Sequence, residues 1–90
     1  MKKSFDEIQD EIIDKFICSN YKGVTETKEI LTKICGQDVS CYDSAIDDGI
    51  ADYEDEYVMR DCFSTADNKI TIRIYYGDHT KYIGYVSVTE

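Results

Sequence analysis

The 90-residue chain contains no proline, a single histidine and no long apolar run. Without proline one common marker of domain boundaries is missing, and no linker, internal repeat or low-complexity stretch suggests a second domain. No segment approaches the roughly 18 to 20 apolar residues of a membrane helix, and MKKSFDEIQDEII turns acidic where a signal peptide becomes apolar. We therefore expect a single domain, residues 1–90, in the cytoplasm.

Familiar catalytic and metal-binding patterns are also missing. The sequence has no G-x-S-x-G element, no Gly-rich phosphate loop and no Cys–His nucleophile pattern. Cys18, Cys35, Cys41 and Cys62 form no C-x-x-C pair, and His79 lies far from all of them along the chain. We predict reduced thiols, with a disulfide or a metal site as the alternatives, and we expect no cofactor and no enzymatic activity.

The net charge of −9 is concentrated in one part of the sequence. Segment 38–61 holds nine carboxylates and one arginine, a net of −8, whereas the other 66 residues hold ten acids and nine bases. A field of one sign repels nucleic acid and anionic membrane and attracts basic partners. We therefore expect a basic protein as partner, and no direct contact with nucleic acid or membrane.

Two helices are predicted in the first half of the chain. Ser4 and Glu7 form a capping box that starts the first helix. A second helix opens near Thr25 and ends at Gly36, a residue that often terminates helices. The apolar stripe of the first helix recurs at three- and four-residue steps: Phe5, Ile8, Ile12 and Phe16.

A third helix is expected within segment 40–53. Ser40 and Asp43 can cap it, although Gly49 weakens the prediction. On such a helix Asp43 with Asp47, and Asp48 with Asp52, form i,i+4 pairs whose carboxylates project from one side. Its apolar side consists of Tyr42, Ile46, Gly49, Ile50 and Tyr53.

From Glu56 onward the apolar period changes to two. EYVMRDCFS, KITIRIYY and KYIGYVSVT alternate and are separated by turn residues, which predicts a three-stranded antiparallel meander. Ile70, Ile72 and Ile74 should then face the helices. The expected fold is α+β, with two or three N-terminal helices packed on a C-terminal three-stranded antiparallel β-meander.

Several readings of the acidic stretch fail on its residues. An EF-hand loop with Gly49 at its sixth position places Ile46 at the third, where calcium needs an oxygen ligand. A helix-turn-helix reading would direct Asp47 and its neighbours at DNA phosphates, which is repulsive. Acids on a polar helix side are commonly only solvated, so an acid–base pair is disfavoured, and simple solubility remains an alternative.

Small size and concentrated acidity resemble the inhibitors that bacteriophages make against host defence nucleases, anti-CRISPR proteins among them. The resemblance implies an inhibitor in the host cytoplasm, monomeric or homodimeric, that mimics DNA by placing carboxylates where a basic effector holds phosphates. Bacterial immunity proteins and antitoxins share this build. A different alternative is a structural or regulatory module that uses its sheet. The face with Arg73, Tyr75 and Tyr85, or an unpaired edge strand, then accepts another chain or a second copy of itself, which makes the module oligomerise. The partner-binding residues of the favoured hypothesis are Asp43, Asp47, Asp48, Asp52, Tyr53, Glu54, Asp55, Glu56 and Tyr57.

Overall fold

Two α-helices precede a four-stranded β-sheet in the computed structural model, which describes residues 3–47 and 57–90. The helices are α1 (Phe5–Phe16) and α2 (Val24–Cys35). The strands are β1 (Val39–Asp47), β2 (Val58–Thr65), β3 (Thr71–Gly77) and β4 (Ile83–Thr89). Neither of these helices is long and apolar enough to cross a membrane.

The start of α1 confirms the predicted capping box. The Ser4 Oγ accepts from the Glu7 amide at 3.2 Å, and a Glu7 carboxylate oxygen accepts from the Ser4 amide at 3.5 Å. These bonds satisfy amides that the first helical turn leaves without partners. The apolar stripe is buried at Ile8, Ile12 and Phe16.

A glycine lies at each end of α2, and the predicted end at Gly36 is confirmed. Gly23 precedes the helix with φ 99°, and Gly36 follows it in the left-handed conformation with φ 72°. Both angles are unfavourable for residues with a β-carbon, so a substitution at either position strains the backbone. Between them, Thr27 and Leu31 are the buried positions of the helix.

The sheet is antiparallel, with the strands side by side in chain order β1-β2-β3-β4. The predicted three-stranded meander corresponds to β2, β3 and β4, but the strand count is wrong because β1 adds a fourth strand beside β2. The expected inward side is confirmed by burial of Ile70, Ile72 and Ile74. Both helices pack on that side: α1 contacts β4, and α2 contacts β1 and β2. The core thus lies between one helical layer and one side of the sheet.

The expected third helix is wrong over residues 40–47, which belong to β1, and the rest of that helix lies outside the described residues. Tyr42 and Ile46 are four positions apart, a spacing that places both on one side of a helix. In β1 the bulge between Cys41 and Asp43 shifts the alternation between them. The helical interpretation made them core residues, but they are 55% and 56% exposed. Pairing with β2 from Val39 to Asp47 decided the outcome, since a strand gains its hydrogen bonds from a distant segment.

Candidate partner-binding surface

The acidic segment connects two strands that are hydrogen-bonded neighbours. Asp47 at the end of β1 is paired with Val58 at the start of β2, and residues 48–56 join them along the chain. Six carboxylates and no lysine or arginine occur in residues 47–56. The carboxylate-rich connection therefore leaves and re-enters the sheet at the same end.

The structure places three of the nine predicted site residues. Asp43 and Asp47 belong to β1, and Tyr57 directly precedes β2. Because Asp43 and Asp47 lie on a strand, they are about 13 Å apart, and the helical i,i+4 pairing expected for them is wrong. The other six predicted residues lie outside the described residues: Asp48, Asp52, Tyr53, Glu54, Asp55 and Glu56.

Asp43 is an exposed acid of this region with one basic neighbour. Its side chain is 51% exposed, and its carboxylate lies 3.8 Å from the Arg60 guanidinium on β2. A long, half-exposed ion pair of this kind contributes little to stability. The Asp43 carboxylate is therefore accessible to a cation from another molecule.

Exposed apolar side chains accompany the acids. Ile46 is 56% and Tyr57 is 64% exposed, and both lie at the end of the sheet where the acidic connection begins and ends. Tyr42 is 55% exposed at a β-bulge, where the pairing with β2 shifts between Cys41 and Asp43. Tyrosine and isoleucine at a charged rim supply the apolar contact that exposed charges lack.

Asp61 differs from the other acids of segment 38–61 because it is buried, with 3% of its surface exposed. The hydroxyl groups of Tyr21 and Tyr76 both donate to its Oδ2 atom, that of Tyr76 at 3.1 Å. The two tyrosine rings stack with their centroids 4.0 Å apart. Asp61 therefore belongs to an internal polar cluster, and its charge is not accessible to a partner protein.

This cluster links the segment after α1 to the sheet, since Tyr21 of that segment donates to Asp61 of β2. Burial, followed by the hydrogen bond to Asp61, raises the pKa of Tyr21 far above its usual value. Burial and the nearby Asp61 charge raise the pKa of Tyr76 in the same direction. Phenols that hold their protons so firmly suit permanent hydrogen-bond donation and not proton transfer at neutral pH.

A second surface lies on the side of the sheet away from the helices. Tyr75 and Tyr85 are neighbours there, with ring centroids 5.3 Å apart and an interplanar angle of 53°. Tyr85 is 59% exposed. Arg73 precedes this pair on the same side of β3. These three residues are those that the sheet-based alternative predicts.

Within the part of the chain that the structure describes, the thiols and the histidine form no cluster with other metal ligands. Each cysteine is a free thiol: Cys18 is exposed and Cys62 is buried, while burial raises the pKa of Cys35. His79 is exposed between β3 and β4, 4.0 Å from Asp78. Among residues 3–47 and 57–90, no group of three His, Cys, Asp or Glu side chains could hold a metal ion.

One sequence signal for the buried cluster was missed. Asp61 lies two positions from both Met59 and Phe63, so an alternating strand places all three on the core side. Nothing in the sequence signals the Tyr21 partner, which lies 40 residues away.

Comparison with protein-family models, curated proteins and solved structures found no match to this chain.

Proposed function

We propose that this protein is a non-enzymatic acidic inhibitor that covers a basic, nucleic-acid-handling site on another protein. One observation carries the proposal: six carboxylates and no base lie in residues 47–56, which connect strand ends paired at Asp47 and Val58. An anti-CRISPR-like inhibitor and an immunity protein against a nuclease toxin are two forms of the same activity.

The chemistry of recognition is charge replacement. A nucleic-acid channel holds phosphates with lysine and arginine side chains, and carboxylates can take the same positions. Complementary charge also raises the association rate, since it attracts the partner before contact. Because salt screens exposed charges beyond roughly 8 Å at physiological ionic strength, binding should weaken as salt is added.

The surroundings of the acids favour a protein partner. Tyr57 and Ile46 are exposed at the roots of the connection, and Tyr42 is exposed farther along β1. Apolar anchors beside a charged patch are typical of protein interfaces. The antiparallel pairing of β1 with β2 gives both ends of the connection a fixed support.

Charge reversal tests the proposal. The variant with Asp47→Lys, Asp48→Lys and Asp52→Lys is compared with the wild type for inhibition of DNA cleavage by purified nucleases, an RNA-guided nuclease among them. We expect wild-type inhibition that excess DNA reverses, and a loss of roughly 10- to 100-fold in the variant because three attractive contacts become repulsive. Its far-ultraviolet circular dichroism should match that of the wild type.

A matched control changes the same total charge elsewhere. Asp10, Asp14 and Glu29 are exposed on α1 and α2, and their reversal to Lys raises the net charge by the same amount. We expect this control to retain most of the inhibition. If both triple variants lose inhibition equally, only net charge matters; if neither does, the acidic connection is not the contact surface.

The side of the sheet away from the helices favours a second candidate function, oligomerisation through the sheet. Its supporting observation is the exposed Tyr85 beside Tyr75. Sedimentation at low and high salt separates the two candidates. A tight dimer that salt leaves intact, and that Tyr85→Ala dissociates, would support the sheet-based function.

A further inference from the structure

We infer that the outer edge of β1 takes up an extended, basic segment of the partner protein as an additional antiparallel or parallel strand. β1 is at the edge of the sheet, and no described strand lies beyond it. This inference rests on the proposed function and names the mode of contact. Three features of β1 favour such a segment: outward backbone groups, exposed side chains and negative charge.

The hydrogen bonds of β2 fix which groups of β1 point outward. The Thr65 amide donates to the Ile70 carbonyl on the β3 side at 3.1 Å, whereas the Ala66 amide donates to Asp38 on the β1 side at 2.8 Å. Backbone groups alternate in direction along a strand, so Cys62 and Arg60 of β2 also point toward β1.

The outward groups of β1 follow from the register. Asp43 and Ala45 are the partners of Cys62 and Arg60, so the backbone groups of Asp43 and Ala45 point inward. Ser44 lies between these two residues, and Ile46 follows them. Because direction alternates along a strand, the N–H and C=O groups of Ser44 and Ile46 point to the outer edge. No described residue caps the backbone of Ser44 or Ile46. These two residues therefore offer two donors and two acceptors to an incoming strand.

The other edge of the sheet is covered near both ends of β4. The Gln9 side-chain amide donates to the Val88 carbonyl at 2.9 Å, and at Ile83 the carbonyl accepts from Cys18 at 3.1 Å. The Ile83 amide in turn donates to the Ser19 carbonyl at 2.8 Å. Strand addition is therefore favoured at β1 over β4.

Charge selects the occupant. Residues 38–47 contain three aspartates and no lysine or arginine, although exposed edge strands are commonly protected by lysine. A second copy of β1 would bring aspartates against aspartates, which destabilises a strand pair. A segment with alternating lysine or arginine would instead pair with the exposed Asp43, and its apolar residues could contact the exposed Ile46. The bulge at Tyr42 directs the pairing to the five residues from Asp43 onward.

The test uses the wild-type protein and an octapeptide of alternating lysine and valine as the probe. Amide hydrogen exchange is followed residue by residue. Near saturation with the peptide, exchange at Ser44 and Ile46 should slow by about tenfold, because these amides gain hydrogen-bond acceptors. The Asp43 and Ala45 amides, already directed toward β2, serve as internal references. A glutamate–valine peptide of the same length should produce no protection.

Two variants separate the backbone from the side chain. Ile46→Pro removes the outward amide, whereas Ile46→Ala retains it and removes the exposed side chain. We expect the proline variant to bind the lysine–valine peptide several-fold to tenfold more weakly than the alanine variant. If the proline variant fails to fold, the exchange pattern of the wild-type protein decides the question alone.

The failures of the two proposals are distinguishable. Peptide binding without protection at Ser44 and Ile46 would overturn strand addition and leave the acidic inhibitor intact. Equal protection by the glutamate–valine peptide, or protection at these amides through self-association without any peptide, would overturn the basic occupant. No binding of the lysine–valine peptide at low salt would overturn strand addition, whereas the proposed function fails separately if the nuclease assays show no inhibition.

Discussion

The two edges of the sheet are treated differently by the rest of the molecule. The β4 edge carries no charged residue between Ile83 and Thr89, and α1 and the segment after it bond to its backbone at Ile83 and Val88. The β1 edge carries Asp43 and Asp47, and no described residue covers it. Among the described residues, the uncharged edge is thus covered near both of its ends, and the acidic edge is not covered.

This difference shows two ways of managing an unpaired strand. Unpaired N–H and C=O groups promote association between sheets, and proteins counter it with covering segments, charges or bulges. On β4 the covering segment also completes the core, since Ile83 is 0% exposed. On β1 the charge and the bulge at Tyr42 discourage a second copy of the chain while leaving the edge accessible to a basic segment.

The largest expected effect comes from isoleucines on the two edge strands. Ile83→Ala should lower the free energy of unfolding by about 2–5 kcal/mol, because Ile83 is fully buried and its removal leaves a cavity. Ile46→Ala should change it by less than about 0.5 kcal/mol, since Ile46 is 56% exposed. Urea denaturation of both variants gives the comparison. Similar losses would show that Ile46 is packed and that the β1 edge is not open.

A second, intermediate effect is expected at alkaline pH on the β4 side. The pKa values of Tyr21 and Tyr76 are raised in the folded protein, so the stability that their protonation contributes is complete below pH 10, the usual pKa of tyrosine. Above pH 10 the unfolded state loses these protons first. The free energy of unfolding should then fall by up to about 1.4 kcal/mol per pH unit for each phenol.

Tyr21→Phe provides the control for this pH dependence. Because the variant lacks one of the two phenols, its stability should fall less steeply above pH 10 than that of the wild type. Hydrogen exchange should show the Cys18 and Ile83 amides losing protection in the wild type, since Tyr21 anchors the segment that covers β4. Parallel slopes for both proteins would contradict the raised pKa of Tyr21.

The smallest effect tests the cover of β4 directly. Gln9→Ala removes the bond to the Val88 carbonyl and should cost about 0.5–1.5 kcal/mol of unfolding free energy. It should also promote salt-insensitive self-association, measured by sedimentation, because the newly opened edge is uncharged. Asp10 is exposed on the same helix, so Asp10→Ala is the matched control. Its stability and sedimentation should match those of the wild type. An unchanged Gln9 variant would show that its bond does not protect the edge.

Much of the fold could be predicted because its signals are local. The capping box of Ser4 and Glu7 and the terminal Gly36 mark helix ends within one turn of chain. Alternation in β3 predicted the buried side of Ile72 and Ile74. β1 escaped prediction because Tyr42 and Ile46 have a helical spacing, and because the hydrogen bonds and the bulge of β1 depend on β2.

The sequence predicted where the acids of the candidate site lie along the chain, but not which of them are exposed. Counting carboxylates located the acidic segment, but it treated Asp61 and Asp43 as equivalent although one is buried and the other exposed. Burial depends on what packs above a strand, and Tyr21 reaches Asp61 from 40 residues away. Alternation with Met59 and Phe63 places Asp61 on the core side, but spacing does not indicate the tyrosine hydroxyl groups that bury it.

The amino-acid sequence alone indicates the two helices, three of the strands and the concentration of negative charge between residues 38 and 61. Helical hydrogen bonds and alternating side chains act within a few residues, so their pattern is written along the chain. The structure was needed to show that residues 39–47 form an edge strand, that Tyr21 and Tyr76 enclose Asp61 and that β4 is covered near both ends. These outcomes depend on pairing and packing between distant segments, which no local pattern specifies.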